Sequence, residues 1–408
     1  MKTIGIGLIG AGNIAQFHMQ GYNSIREAYG EYIPHFVVVA DQNIKAAESI
    51  RDRYGYETAT TDWHDVIGNP AVDVVLITSP NFLHAEMVIA AANAGKHVMC
   101  EKPMAMNKEE GKAMCEAIDK ADVTSLIDCI YLKCPTVVET RRMIEAGELG
   151  DIITFRGWFN SGYRADPNSP MEWRQYKKLA GTGALGDITA HVISLSDYLV
   201  NGQLGGIEEV CAAWDIVIPE RSDGKNPASR VPVDTDDLNY MISQVCIHEI
   251  DLIKWLVDDE YESVWVELPR QSRHAESTLH DPQKAHIRTK KGVCIDVELN
   301  VNCQFAYDIQ CQVVGEDGAI ALPDPSYYQV RKAGMRGMPM CTNWEERFAD
   351  AYTVEMQDWV NNTLSDCTGG PNSWDGYVAA VTADALNASR REYHRMTVDL
   401  PERPAFYR

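Results

Sequence analysis

Residues 4–15 read I-G-I-G-L-I-G-A-G-N-I-A, an apolar strand that runs into a glycine-rich turn and decides the expected fold. In this G-x-G-x-x-A pattern, Gly10 permits the tight turn and Gly12 lets the backbone approach a pyrophosphate. Asn13 and Ile14 follow at the start of a predicted helix, whose N-terminal amides would face the phosphates. The pattern predicts a dinucleotide-binding unit, with both glycines, Asn13 and Ile14 near the cofactor.

An acidic residue follows the next apolar run. Residues 36–40, F-V-V-V-A, form a predicted strand, and Asp41 comes directly after it. A carboxylate at this position accepts hydrogen bonds from both ribose hydroxyls of NAD. Gln42 offers no positive charge for the 2′-phosphate of NADP, so NAD is the expected cofactor.

Composition and charge limit the classes of protein and partner that are possible. The 408 residues exceed one typical domain, so two are expected. A formal net charge of −22 argues against nucleic acid or an anionic membrane as a partner and favours a neutral or weakly charged small molecule. The 11 cysteines have no metal-ligand spacing, and no secretion or membrane segment is indicated. We expect reduced thiols in the cytoplasm and no bound metal.

Two patterns of secondary structure divide the chain. Apolar strands alternate with helical segments in the first part, which predicts an α/β Rossmann fold with a doubly wound parallel sheet. Its strands are expected at 4–9, 36–40, 72–78, 97–100 and 124–127. Longer strands rich in β-branched residues then predict an α+β domain with a large, mostly antiparallel open sheet. They are expected at 152–159, 209–218, 262–268, 292–301 and 307–314, with helices at 184–199 and 246–257 and a polar loop at 219–232. We therefore expect an NAD-binding domain over 1–130 and a substrate-binding and oligomerisation domain over 131–408.

Polar residues follow two further predicted strands of the first domain. Residues 79–84 read S-P-N-F-L-H, and residues 95–103 read G-K-H-V-M-C-E-K-P. Ligands bind at the carboxyl edge of an open α/β sheet. We therefore expect Ser79, Asn81 and His84 to lie near the cofactor.

This arrangement, with Glu101-Lys102-Pro103, resembles the glucose-fructose oxidoreductase, inositol dehydrogenase and rhizopine-catabolism family (Gfo/Idh/MocA) over nearly the whole chain. The resemblance implies an NAD-dependent oxidoreductase in which Glu101 lies at the cofactor. Lys102 would hydrogen-bond the reacting hydroxyl, which makes it both catalytic and substrate-binding. Family members are commonly oligomeric, and the expected second sheet suggests a homodimer or homotetramer.

A second segment, residues 181–191, reads G-T-G-A-L-G-D-I-T-A-H and is similar to the family pattern G-G-G-x-x-x-D-x-G-x-H. By this resemblance His191 is the general base and Asp187 orients it. The two residues are four apart, so they share one face of a helix. Imidazole also suits the proton that leaves an alcohol near neutral pH. The residues alone would fit an ordinary helix-surface pair as well.

A third segment competes for the same role. From about residue 240 the chain resembles the inositol 2-dehydrogenases of the family, in which the H-E-I-D sequence carries the catalytic histidine, here His248. Gln244 stands where that pattern has an aspartate, and an amide cannot stabilise an imidazolium as a carboxylate does. We therefore expect His191 to be the base, while His248 stays a candidate for catalysis or substrate binding. The spacing of these residues does not match a pattern of metal ligands, so no metal is expected at these histidines.

Several side chains are expected to contact the substrate. Residues 158–173 resemble family members that oxidise sugars and glycosides, whereas the C-terminal part resembles enzymes of inositol. The expected contacts are Lys102, Tyr131, Arg164, Trp173, Arg174, His248 and Tyr307. These features favour oxidation of a secondary hydroxyl of a cyclic polyol (a sugar, glycoside or inositol) to a ketone. The alternatives are a redox-neutral enzyme that holds NAD and acts through a transient keto-sugar, in glycoside cleavage or epimerisation, and a non-catalytic NAD(H)- or sugar-binding protein.

Overall fold

The computed structural model describes most of the N-terminal half and separate segments of the rest. The described residues are 2–25, 32–160, 173, 176–181, 189–204, 207–213, 220–222, 230–232, 283–289, 294–300, 308–324, 327–331, 344–362, 371–392 and 396–407. The expected helix at 246–257 and strand at 262–268 lie outside them, as do Arg164, Arg174, Asp187, His248 and Tyr307.

Strands and helices make up most of the described residues. The strands are β1 (Lys2–Ile9), β2 (Tyr32–Ala40), β3 (Thr58–Thr60), β4 (Val74–Ile77), β5 (His97–Glu101), β6 (Ser125–Asp128), β7 (Ile152–Asn160), β8 (Ile207–Ala213), β9 (Glu220–Ser222), β10 (Arg230–Pro232), β11 (Gln283–Thr289), β12 (Cys294–Asn300), β13 (Asp308–Gly315), β14 (Ala319–Asp324), β15 (Tyr327–Arg331) and β16 (Met396–Thr397). The α-helices are α1 (Asn13–Ile25), α2 (Ile44–Tyr54), α3 (His64–Ile67), α4 (His84–Asn93), α5 (Lys108–Ala121), α6 (Pro135–Glu145), α7 (Lys177–Ala180), α8 (Thr189–Leu204), α9 (Trp344–Asn362) and α10 (Ser373–Glu392). Short 3-10 helices occur at Asn81–Leu83, Ile130–Lys133 and Ala405–Tyr407.

The chain separates into two compact units. The first consists of Met1–Pro135, Cys341–Ala380 and Pro401–Arg408, and the second of Thr136–Met340 and Val381–Leu400. The first unit therefore includes segments from both ends of the chain. The division into domains at residue 130 stays a prediction.

The first unit is built on a six-stranded sheet in the order β3-β2-β1-β4-β5-β6. Its neighbouring strands are all parallel, and this order is that of a dinucleotide-binding fold. The strands are apolar because helices cover both faces, and Ile6, Leu8 and Leu76 are fully buried. The predicted doubly wound sheet is confirmed, and β3, which has only three residues, is an addition to it.

Strand β2 begins earlier than the sequence predicted, at Tyr32 instead of residue 36. Pro34 lies within this strand and is paired with Ile4 of β1. On the other side of β2, strand β3 pairs only with Val38, Val39 and Ala40. Pro34 therefore sits where the sheet has a neighbour on one side only, which is where a strand tolerates a residue without an N–H.

The second unit contains an eight-stranded open sheet in the order β15-β14-β13-β7-β12-β11-β8-β16. All of its pairs are antiparallel except β12 with β7. The predicted large, mostly antiparallel sheet is confirmed. Helix α8 packs on β7, where a Cβ added to Gly157 would lie 2.4 Å from Cγ1 of Val192. The two short strands β9 and β10 pair with each other inside the region expected to be a loop. Among the described residues, none of the helices has the length and apolar character needed to cross a bilayer.

Candidate active site

The glycine-rich turn joins β1 to α1 at the carboxyl edge of the first sheet. Gly10 has a φ of +99°, and a Cβ added to it would lie 2.8 Å from the carbonyl carbon and oxygen of Thr78. The N–H of Gly10 donates to the carbonyl oxygen of Ala40 (2.8 Å), and its carbonyl oxygen accepts from Oγ1 of Thr78 (2.7 Å). Gly10 thus brings the ends of three strands close together, which a side chain would prevent.

The space around Gly12 is open, in contrast to that around Gly10. Its Cβ position has no atom of the described residues within 4 Å, and the residue is exposed. Asn13, the first residue of α1, is also exposed, whereas Ala15 is fully buried against the sheet. The open space above Gly12 and the N-terminal amides of α1 fit a pyrophosphate. Ile14 is half-buried next to them.

Asp41 follows β2 and is half-buried. Its Oδ2 accepts a hydrogen bond from the N–H of Ala11 and its Oδ1 accepts one from the N–H of Asn43, both at 2.8 Å. A carboxylate oxygen can accept two hydrogen bonds. Each oxygen of Asp41 therefore keeps capacity for a ribose hydroxyl while the two backbone donors hold the carboxylate in place.

His84 links the two other loops at this edge. Its Nε2 lies 2.8 Å from the carbonyl oxygen of Ser79, and its Nδ1 lies 3.0 Å from that of Pro103. Burial lowers the pKa of His84 despite these backbone contacts, so the ring is neutral near neutral pH and one nitrogen donates. His84 has no exposed surface and Asn81 is 6% exposed. His84 therefore lies between the Ser79 loop and the Pro103 segment and donates to the carbonyl oxygen of one of them.

The Glu101-Lys102-Pro103 segment follows β5 and has a cis peptide bond between Lys102 and Pro103. Lys102 is half-buried, and its N–H donates to Oε2 of Glu101 (3.2 Å). The other oxygen of Glu101, Oε1, accepts from Nε2 of His18 (2.8 Å). The carboxylate of Glu101 is only 8% exposed and faces a buried histidine. The expected contact of Glu101 with the cofactor stays a prediction.

That histidine belongs to a group of ionisable side chains, which we call the buried charge cluster: His18 of α1, Glu101 of β5, Asp128 of β6 and Glu355 of α9. Their exposed fractions are 1%, 7%, 2% and 0%. Nε2 of His18 also lies 3.2 Å from Oδ2 of Asp128, so both carboxylates share its N–H. The ring of Tyr352 packs edge-on against His18, with ring centres 5.1 Å apart. Apart from Glu101, sequence reasoning did not single out these residues.

The pKa values of the cluster show how its charges are arranged. Burial acts to lower the pKa of His18, but the charge of Asp128 and hydrogen bonds with Asp128 and Glu101 outweigh burial and raise the pKa to about 10. Burial acts to raise the pKa of Asp128, yet the charge of His18 holds it well below its usual range. Burial, and then the charge of Asp128, raises the pKa of Glu101 to about 7 and that of Glu355 well above its usual range. The neighbouring charges thus favour a protonated His18 and an ionised Asp128, whereas burial favours a neutral Glu355.

The cluster also contains donor atoms that a divalent metal could use. The ligand atoms of His18, Glu101 and Asp128 all lie within 4.8 Å of one another. Imidazole and carboxylates are ligands for zinc. Here, however, Nε2 of His18 lies at hydrogen-bond distance from both carboxylates, which accounts for the geometry with a shared proton.

Three further candidate residues are among those that the structure describes. Tyr131 is 5% exposed in the 3-10 helix Ile130–Lys133 that follows β6. Trp173 is half-buried, and His191 of α8 is 6% exposed within the second unit. The structure thus brings the glycine turn, Asp41, the Ser79 loop and Lys102 to one sheet edge. The roles of all these side chains stay proposals.

The glycine turn at a helix N-terminus, the acid after β2 and the carboxyl-edge loops define a dinucleotide-binding protein. The chain belongs to the Gfo/Idh/MocA family. The family's model described as "Oxidoreductase family, NAD-binding Rossmann fold" matches residues 4–128. Models of its C-terminal domains match residues 137–242 and 241–400.

Relatives of known activity match the whole chain. The inositol 2-dehydrogenase of Serratia proteamaculans is 34% identical over 406 residues, which cover 99% of each chain. That of Klebsiella pneumoniae strain 342 is 33% identical over 407 residues, or 100% of this chain and 99% of the relative. A levoglucosan dehydrogenase solved in complex with NADH and L-sorbose is 29% identical, with a TM-score of 0.78 over 98% of this chain and 100% of that chain.

These comparisons confirm the expected family, enzyme class and cofactor. The protein is an NAD-dependent dehydrogenase that acts on CH–OH groups.

Proposed function

We propose that the protein oxidises a secondary hydroxyl of a cyclic polyol (a sugar, a glycoside or an inositol) to a ketone. Full-length similarity to inositol 2-dehydrogenases carries this proposal, together with the place of Lys102 at the carboxyl edge of the sheet that also carries the glycine turn. In the reaction the carbinol carbon loses a hydride and the oxygen loses a proton, which leaves a carbonyl group. NAD supplies the hydride acceptor when it is bound.

Lys102 has the chemistry to stabilise the hydroxyl oxygen. An ammonium group donates to the oxygen as negative charge develops there, which favours loss of the proton. Lys102 is half-buried, so its charge is screened less than that of a fully exposed lysine. We assign Lys102 to this role and expect it to bind the substrate as well.

The proton acceptor is a histidine. We assign this role to His191, with Asp187 as the carboxylate that orients the ring and stabilises its charged form. His191 is 6% exposed. His248 is the competing candidate, with Gln244 in place of the acid. Tyr131 and Trp173 are assigned to substrate binding, as are Arg164, Arg174 and Tyr307.

The relatives differ in the substrates that their names state. Inositol and levoglucosan are both ring compounds with secondary hydroxyls, so the shared chemistry is that of a cyclic polyol. We assign this class to the protein. The cytoplasm as its location and a homodimer or homotetramer as its assembly stay predictions.

The first experiment is a substrate survey. Purified protein with NAD is given myo-inositol, scyllo-inositol, glucose, levoglucosan and simple alkyl and aryl glucosides, and NADH formation is followed by absorbance. Turnover of at least one of these compounds is expected. If none is oxidised by protein that binds NAD, the proposal is wrong, and release of the sugar from a glucoside without net NADH would identify the redox-neutral alternative.

A second experiment assigns the base. His191→Ala is expected to lower kcat by about 10²–10⁴-fold and to leave NAD affinity unchanged. His248→Ala is expected mainly to raise KM, because it removes a substrate contact. The reverse pattern would assign the base to His248. Lys102→Ala should lower kcat in either case.

A further inference from the structure

The buried charge cluster reaches the proposed catalytic lysine through one short path. Nε2–H of His18 donates to Oε1 of Glu101 (2.8 Å), and Oε2 of Glu101 accepts from the backbone N–H of Lys102 (3.2 Å). Each atom of this path belongs to the first unit. The position of the Lys102 backbone is therefore coupled to a histidine that lies fully buried on the phosphate-facing helix α1.

Groups from each of the packed elements set the geometry of His18. Asp128 at the end of β6 accepts from the same Nε2 (3.2 Å), and the ring of Tyr352 on α9 packs against the imidazole. Glu355, one turn further along α9, is fully buried beside them. The ring of His18 is thus held between strand ends and a helix and has little freedom to reorient.

We propose that His18 is a positioning residue for catalysis: with Asp128 it fixes the carboxylate of Glu101, which in turn holds the Lys102 backbone so that its ammonium group meets the substrate hydroxyl. This inference rests on the proposed role of Lys102. It assigns Glu101 to the orientation of Lys102 instead of direct cofactor contact.

The position of Lys102 affects the rate because its ammonium group must lie within a narrow range of distances from the substrate hydroxyl. A displacement of about 1 Å at a catalytic group can cost about 10²-fold in rate. His18 supplies the N–H that lies between Glu101 and Asp128. Without it, repulsion between the two carboxylates, or a proton shared between them, would turn Oε2 of Glu101 away from the N–H of Lys102.

A kinetic double-mutant cycle tests whether His18 acts through Lys102. The four proteins are wild type, His18→Gln, Lys102→Ala and the double variant. We expect His18→Gln to lower kcat by up to about 10²-fold in the wild-type background, with little change in NAD affinity. In the Lys102→Ala background the same substitution should leave kcat unchanged, because the group it positions is already gone.

The cycle separates this inference from the proposed function. If Lys102→Ala alone leaves kcat unchanged, the proposed role of Lys102 is wrong, and the inference falls with it. If Lys102→Ala lowers kcat but His18→Gln has no effect, or lowers it equally in both backgrounds, only the positioning role is wrong. If His18→Gln does not fold, Asp128→Asn replaces it in the cycle, because this substitution removes the second carboxylate that accepts from the same imidazole.

A matched control comes from the opposite end of β5. Nδ1 of His97 accepts from the N–H of Thr124 (3.1 Å), so His97→Gln disturbs the same strand far along it from Lys102. We expect His97→Gln to lower thermal stability without lowering kcat. An equal loss of kcat in His97→Gln would show that any disturbance of β5 has this effect, which would overturn the specific role of His18.

A measurement without substrate tests the hydrogen bonds themselves. In protein labelled with 15N-histidine, the His18 signals, identified by their absence in His18→Gln, should remain those of an imidazolium well above pH 7, as expected for a ring between two carboxylates. A ring that titrates like a free histidine would contradict the proposal. So would a stoichiometric metal ion that is bound by the wild type and lost in His18→Gln.

Discussion

Gly12→Ala should separate cofactor binding from folding. The added methyl group would point into space that no atom of the described residues occupies within 4 Å. The φ of Gly12 is not among the positive values found in this chain, so alanine can adopt its backbone conformation. The fold therefore tolerates the substitution, whereas a pyrophosphate that must approach the Gly12 backbone does not.

The expected magnitudes follow from that geometry. Stability should stay within about 1 kcal/mol of wild type, since a tolerated Gly→Ala change mainly restricts the unfolded chain. The methyl group moves the pyrophosphate away from the backbone amides and weakens hydrogen bonds to a charged group, each worth about 1.5–3 kcal/mol. The loss of one such bond corresponds to an increase in the Kd for NAD of about 10- to 150-fold.

Gly10→Ala is the matched control for this prediction. Its φ of +99° costs an alanine about 1–3 kcal/mol, and its Cβ would lie 2.8 Å from backbone atoms of Thr78. Urea unfolding should therefore show a clear loss of stability for Gly10→Ala and little for Gly12→Ala. Titration with NAD, followed by tryptophan fluorescence, gives the Kd. An unchanged Kd in Gly12→Ala, or a loss of stability as large as that of Gly10→Ala, would refute the reasoning.

Three further predictions concern other parts of the molecule. Burial opposes the proton of His18, but the neighbouring carboxylates raise its pKa from 6.5 to about 10, so the folded state retains a proton that the unfolded chain releases. The stabilisation from this proton is therefore complete below about pH 6.5 and is lost as the pH rises toward about 10. Urea unfolding should show that the free energy of unfolding falls with pH over this range in wild type and falls less steeply in His18→Gln. Gly157→Ala would place a Cβ 2.4 Å from Cγ1 of Val192, next to His191 on α8, so it should lower both the unfolding temperature and kcat; an unchanged kcat would separate this packing contact from catalysis. Asp41→Asn replaces an acceptor of two backbone N–H groups with an amide that can accept only through one oxygen. It should weaken NAD binding by about 1–3 kcal/mol, and an NAD titration that shows no change would remove Asp41 from the ribose site.

Local patterns predicted the first sheet and its turn well. The strand, the glycine turn and the helix of residues 4–15 are contiguous, and the φ of Gly10 and the open space at Gly12 are the properties that such a motif requires. Asp41 was likewise predictable because it directly follows an apolar strand. In the second unit, β-branched strands predicted the type of sheet, whereas strand order depends on pairings between distant segments, such as β7 with β12 and β13.

The buried charge cluster could not be predicted in the same way. Its members come from α1, β5, β6 and α9, and the last of these joins the first unit from far along the chain. Read alone, His18 is one polar residue on an amphipathic helix, and Glu355 lies in a helix that the sequence did not predict. Two signals were present: Glu101 and Asp128 both stand at strand ends, where parallel strands bring side chains together.

Stability alone does not explain why charged groups occupy this place, although the proton of His18 contributes to it. Each buried ion loses several kcal/mol of hydration, and a buried ion pair is often no more stabilising than apolar side chains of the same volume. Glu355 adds a carboxyl group that burial keeps neutral, so it contributes no attraction to His18. Charged groups differ from apolar ones in that their hydrogen bonds fix orientation. Here the shared N–H of His18 orients two carboxylates at once. One of those carboxylates accepts the N–H of Lys102. The buried charges thus fit the positioning role that we propose for His18 toward Lys102.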